Sequence, residues 1–186
     1  MIYYTSDLHF GHKNILEYEK RPFTDLKDME EQLISRWNSV VNNNDEVYVL
    51  GDFAFKGSKL SIDDINRIVE SLNGKKHLII GNHDTYLDNI HFNEKLWEEI
   101  IPYKQIKDSY YDKDGNKITK LICLMHYPIE NWNMQMYGSI HLHGHLHSKP
   151  TKLNQENRYN VGCDLWDYYP ITLYDIIKPF GGENND

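Results

Sequence analysis

Five short apolar runs in this 186-residue chain each lead into residues able to bind metal ions. They end at Asp7-Leu8-His9, at Gly51-Asp52, at Gly81-Asn82-His83-Asp84, at His126 and at Gly144-His145-Leu146-His147. Carboxylate oxygen, amide oxygen and imidazole nitrogen, without thiolate, suit Mn²⁺, Fe, Ni²⁺, Co²⁺ or Zn²⁺ rather than a structural zinc cage. Seven such residues exceed what one ion needs. With one carboxylate shared, they suit two ions about 3.5–4 Å apart. Two divalent ions bring the pKa of a bound water toward neutrality and neutralise a phosphate. The chemistry this implies is hydrolysis of a phosphate ester.

The surrounding pattern alternates short strands with helical stretches. Ile2 to Thr5, Val47 to Leu50 and His77 to Ile80 read as strands. Between them, Leu26, Met29, Leu33, Trp37 and Val40 fall at three- and four-residue steps and predict a helix over 26–41. Ser61 with Asp64 predicts the start of another, with Ile62, Ile65, Ile68, Val69 and Leu72 as its buried face and Asn73-Gly74 as its stop. The second half is richer in strands. Residues 105–111 and 117–125 predict a hairpin around Asp114-Gly115. Ser139 to Leu142 and Arg158 to Gly162 read as further strands, and 171–178 as a short helix or strand. This predicts one α/β domain with mixed sheets over residues 1–180, and a frayed tail over 181–186. In such sheets ligands sit at the carboxyl ends of strands, so residues far apart in sequence converge on one rim. Gly51, Gly81 and Gly144 let the backbone turn there and approach closely.

Composition narrows the classes further. Acids outnumber Lys plus Arg by 28 to 20, a formal charge of −8. That disfavours binding along a long nucleic-acid polymer, although bound cations would offset part of it. The longest apolar runs reach four or five residues, so no membrane span is expected, and the start of the chain lacks signal-peptide character. Cys123 and Cys163 lie in apolar runs and read as buried free thiols of a cytoplasmic protein.

Taken together and in order, Asp7-x-His9, Gly51-Asp52, Gly81-Asn82-His83-Asp84, His126 and Gly144-His145-x-His147 resemble the five motifs of the calcineurin-like metallophosphoesterases, in a branch of small bacterial and phage phosphoesterases. The resemblance runs from residue 7 to 147. It implies a two-sheet β-sandwich flanked by helices, a four-layer αββα arrangement with the site at its rim. It assigns Asp7, His9, Asp52 and His147 to a first metal, and Asp52, Asn82, His126 and His145 to a second. Asp52 bridges them, because one group must offer lone pairs to two cations. His83 lies beside the metals as the catalytic group that stabilises or protonates the leaving oxygen. The implied enzyme is a dinuclear phosphoesterase. The expected metal is Mn, with Fe, Ni, Co or Zn as alternatives. The expected reaction is in-line attack by a metal-bridging hydroxide on a phosphate ester, a phosphodiester rather than a monoester, although the residues hardly separate the two. Asp84 departs from the family's usual Glu and is expected to orient its surroundings.

Other residues carry weaker signals. His12 and Arg21 sit in the first rim loop and are expected to contact substrate phosphate. His141 reads as a sheet residue, and His143 either faces the site or packs beneath it. Trp166 and the Tyr168-Tyr169 pair, after Val161-Gly162-Cys163-Asp164, read as core aromatics, with a base-stacking wall as the alternative. The loop over 127–138, with Trp132, Met134, Met136 and Tyr137, lines either a pocket or a partner surface. Two competing functions remain at this point. One is a catalytically silent scaffold binding a protein partner. The other is a nuclease or an enzyme acting on nucleotides.

Overall fold

The computed structural model describes residues 1–55, 60–149 and 156–178. The expected tail over 181–186, and the end of the expected domain at 180, lie outside the described residues. The strands are β1 (Ile2–Thr5), β2 (Glu46–Val49), β3 (Lys75–Ile79), β4 (Glu99–Ile101), β5 (Tyr103–Tyr111), β6 (Lys117–Met125), β7 (Ile140–His143) and β8 (Arg158–Asn160). The helices are α1 (Ile15–Tyr18), α2 (Leu26–Val40), α3 (Ile62–Ser71) and α4 (Leu173–Ile177).

Local chemistry sets the helix starts. The Asp25 side chain accepts from the Asp28 amide and begins α2. Ser61 and Asp64 cap each other reciprocally at the start of α3, as the sequence predicts. Thr172 and Asp175 form the same box, so the segment after 171 starts a helix and not a strand. The β5–β6 hairpin closes on Asp112, whose Oδ1 accepts from the Asp114 and Asn116 amides.

β1, β2, β3 and β4 form one all-parallel sheet in that order. β5, β6, β7 and β8 form a second, in which β5 is antiparallel to β6 while β6, β7 and β8 run parallel. Alternation along the strands splits the core in two. Tyr3, Val47, Val49 and Leu78 face α2 and α3 and pack with Met29, Leu33, Trp37, Ile65 and Val69. Tyr4, Tyr48, Leu50 and Ile79 face the other way and meet Ile122, Leu124, Ile140 and Leu142 of the second sheet. The two-sheet sandwich flanked by helices is therefore present. The outer face of the second sheet carries Cys123 and His141, covered by the 126–139 segment. Trp132 packs on His141 there, and the His141 imidazole accepts from the Ile129 amide. That covering layer holds one 3-10 turn, Gln135–Tyr137, and no long helix among the described residues.

β1 and Ser6 just after it also bridge to the last part of the described chain. Tyr4 and Ile171 exchange two backbone hydrogen bonds of 2.8 and 3.0 Å. Ser6 pairs in parallel with Gly162, just beyond β1 and β8. This parallel bridge shows that the carboxyl ends of both sheets share one rim. Among the described residues no helix is long and apolar enough to cross a membrane.

Trp37 ties α2 to the turn before β3: its ring is buried and its indole N–H donates to Asn73 O at 2.9 Å. Trp37→Ala is expected to cost about 3–5 kcal/mol in chemical unfolding at unchanged secondary structure, the usual price of such a cavity. A loss below ~1 kcal/mol would show that this layer packs otherwise.

Candidate metal centre

All seven predicted ligands meet at that rim, in the few residues after β1, β2, β3, β6 and β7. Five of them, Asp7, His9, Asp52, His145 and His147, hold φ between 51° and 69°. This left-handed region is uncommon outside glycine, although Asp and His tolerate it better than most residues. Such conformations persist only where the surrounding structure enforces them, and they cluster at functional sites. The backbone also comes very close here. A Cβ on Gly144 would overlap Ser6 Oγ and the Asp7 carboxylate.

Asp7 is fully buried and accepts from the His145 amide at 3.0 and 3.1 Å. Asp52 Oδ1 accepts from the His83 amide at 2.8 Å. Asp52 Oδ2 lies 3.7 Å from His9 Nε2 and 3.5 Å from His126 Nε2. It thus stands between an imidazole of each sheet. The Asn82 oxygen is 3.0 Å from His126 Nε2 and 2.9 Å from His145 Nδ1. Asp7, His9 and His147 present ligand atoms within 4.8 Å of one another, and so do Asp7, Asp52 and His126.

The donor set fits a cation. His9 is 1% exposed, yet neither of its ring nitrogens has a hydrogen-bond partner. Buried polar atoms left this way are costly unless something else binds them. His126 Nδ1 donates to Leu50 O at 2.7 Å, since a carbonyl only accepts. Its Nε2 therefore keeps a lone pair, aimed at the oxygens of Asn82 and Asp52. His147 likewise donates from Nδ1 to Asp164 Oδ2 at 2.9 Å and turns Nε2 toward Asp7. These outward hydrogen bonds set the tautomer that a metal requires.

The acids around the rim differ in how they are paid for. Asp84 is buried and accepts from the amides of Gly81, Asp52 and Phe53 at 2.8, 2.8 and 2.9 Å. It orients the loops that carry Asp52 and Asn82. Burial pushes the Asp7 carboxyl up to about 7, against the lowering effect of His147. Burial also lowers His9, His126 and His145. Burial opposes protonation of His147 too, but its hydrogen bond to Asp164 and the charge of Asp7 push it up.

The remaining expectations divide. His83 is half-buried at the rim, its ring 5.3 Å from His9 and 5.2 Å from Phe55. His12 lies flat on Phe55 at 3.8 Å and 5.3 Å from His9. Arg21 does not face the rim. Its buried guanidinium donates to Asp164 at 2.7 and 3.1 Å, to Asp7 O at 2.7 Å and to Leu8 O at 2.9 Å. A contact to substrate phosphate is corrected to an internal ion pair. Tyr168 packs edge-on against Phe23 in the core, which disposes of a stacking wall at that residue. His143 packs beneath the site, buried, and donates to Gly144 O. The residue that sequence reasoning passed over is Asp164. Its signal was present: an acid shortly after a strand and a glycine, like the predicted ligands.

A metal bound at these residues would compete with protons for Asp7 and His147, whose pKa values are raised, whereas burial disfavours protonation of His9, His126 and His145. Mn²⁺ affinity is expected to rise with pH between about 6 and 8, with protons released on binding. Titration calorimetry in two buffers of different ionisation enthalpy reads both. An affinity flat across that range would contradict this account of the site.

Comparison with known proteins agrees with the geometry. The calcineurin-like phosphoesterase family model matches residues 1–166. An uncharacterised protein of Methanocaldococcus jannaschii is 33% identical over 182 residues, covering 95% of this chain and 89% of its own. The gene 66 protein of Mycobacterium phage L5 is 30% identical over 198 residues, covering 95% and 93%. A crystal structure of a protein of unknown function from Aquifex aeolicus superposes with a TM-score of 0.68 at 25% identity, over 97% of this chain and 99% of that one. The chain therefore belongs to the calcineurin-like phosphoesterase family, metal-dependent hydrolases of phosphate esters.

Proposed function

We propose that the protein is a dinuclear phosphodiesterase. The observation that carries this reading is the buried His9 imidazole, whose ring nitrogens have no hydrogen-bond partner, set beside Asp52 Oδ2, which also faces His126 Nε2 and through it the Asn82 oxygen. Asp7, His9, Asp52 and His147 would hold one divalent cation, and Asp52, Asn82, His126 and His145 the other. Asp52 is suited to the shared position because Oδ2 stands between His9 and His126. The carboxylate and amide oxygens suit Mn²⁺, the proposed ion, while the imidazoles equally suit Fe, Ni²⁺, Co²⁺ or Zn²⁺, the alternatives. When bound, the two cations supply a water that ionises near neutral pH and positive charge to receive a phosphate.

The protein's own residues do the rest. Leu50 O and Asp164 fix His126 and His147 so that their Nε2 atoms face inward. The His83 amide is tied to Asp52, which sets its imidazole at the open side of the site. There the ring holds a proton for the leaving oxygen. His12, stacked on Phe55 beside His9, supplies a contact to substrate. A phosphodiester is the proposed class because its single negative charge is repelled less than a monoester dianion by a chain of charge −8. Among nucleotides, the cyclic forms and linked dinucleotides carry such a diester. Two buried free thiols, Cys123 and Cys163, suit a cytoplasmic enzyme.

The test is Mn²⁺-dependent hydrolysis of bis-p-nitrophenyl phosphate against p-nitrophenyl phosphate, by stripped and reloaded protein. His83→Ala is expected to lower kcat by roughly 10²–10⁴-fold at unchanged metal content, the usual contribution of a positioned acid. Asp52→Ala is expected to abolish metal binding and turnover together. Full hydrolysis by Asp52→Ala would sink the assignment.

A further inference from the structure

Arg21 and Asp164 are 143 residues apart, yet they form a buried two-point ion pair against the rim. The pair touches the candidate centre at two places. Asp164 Oδ2 accepts from His147 Nδ1, and Arg21 donates to the backbone oxygens of Asp7 and Leu8. Both contacts reach the group Asp7, His9 and His147, and of its members Asp7 also lies within reach of Asp52 and His126. Neither touches the side chains of His126, Asn82 or His145, which meet Leu50 O and one another; the link to this group is the His145 amide, which donates to Asp7. Arg21 leaves the loop after α1, and Asp164 follows β8, so the pair also spans from the first-sheet side to the second.

We infer that Arg21 and Asp164 are positioning residues dedicated to the first cation, and that the second cation is held independently of them. This rests on the metal-binding reading of Asp7, His9 and His147. Asp164 sets the His147 tautomer, placing the proton on Nδ1 and the lone pair on Nε2. Arg21 neutralises Asp164 and pins the turn that carries Asp7. A planar five-donor guanidinium serves both partners at once, which an ammonium does not. Orienting acids behind ligating histidines typically change metal affinity by about 10–100-fold.

Removing one partner alone leaves a buried charge, so Asp164→Ala could simply unfold. Two other variants keep the test open. Asp164→Asn is isosteric, and Arg21→Met with Asp164→Leu replaces the pair by apolar groups, a change that folded proteins often tolerate. Thermal melting of the metal-free proteins confirms folding. Mn²⁺ titration should then show one binding class weakened roughly 10–100-fold in the double variant and the other within ~2-fold of wild type. Imidazole ¹⁵N spectra of the metal-free proteins should show His147 as the Nδ1–H tautomer in wild type and lose that preference in the double variant, a change that a merely structural role would not produce. Unchanged affinities with an unchanged tautomer would overturn the inference. Equal weakening of both classes would overturn its restriction to one cation. A single class in the wild type would refute the two-ion reading. The positioning role would then stand only if that class weakened and the tautomer changed.

Discussion

Carboxylates cannot be buried without something to meet their charge. Four of them, Asp7, Asp52, Asp84 and Asp164, lie within one rim of this molecule, the first three almost without exposure. The answers differ. Asp84 takes three backbone amides. Asp164 takes an arginine and an imidazole. Asp7 and Asp52 are left with one amide donor each and with imidazoles that offer lone pairs. The satisfied acids build a frame, and the unsatisfied ones face its centre, where the proposed cation would complete the balance.

The fold exists to bring these groups to one edge. Parallel strands make that possible, because every carboxyl end points the same way. β1, β2 and β3 deliver Asp7, His9, Asp52 and Asn82, and β6 and β7 deliver His126, His145 and His147. The two sets meet because the sheets stack face to face and Ser6, just after β1, pairs with Gly162, just after β8. The left-handed turns after the strands then bend the side chains back over the sandwich. Conformational strain at the rim is held by the packed layers beneath it.

Much of this was legible in the sequence. Short β-branched and aromatic runs that stop at a polar residue mark a buried strand and its exit together, which is why the rim residues could be named. Capping chemistry marked α3 in the same way. Other features depend on tertiary contact. β4 is three residues long, Glu99 to Ile101, and its only definition is parallel pairing with β3. Arg21 was misread because residue type suggests a phosphate contact, whereas its burial follows from a partner 143 positions away. The helix at 173–177 was ambiguous by pattern and decided by the Thr172–Asp175 box.

The distances along the chain between contacting groups carry a consequence for biosynthesis. Asp7 meets His145 across 138 residues, and its backbone oxygen meets Cys163 across 156. A nascent chain that has released β1 to β3 holds Asp7, His9, Asp52 and Asn82, but lacks every imidazole of the second sheet. Contacts this remote form late and slowly. The centre is therefore assembled after most of the chain has left the ribosome, and a cation held there as proposed would enter a nearly finished protein.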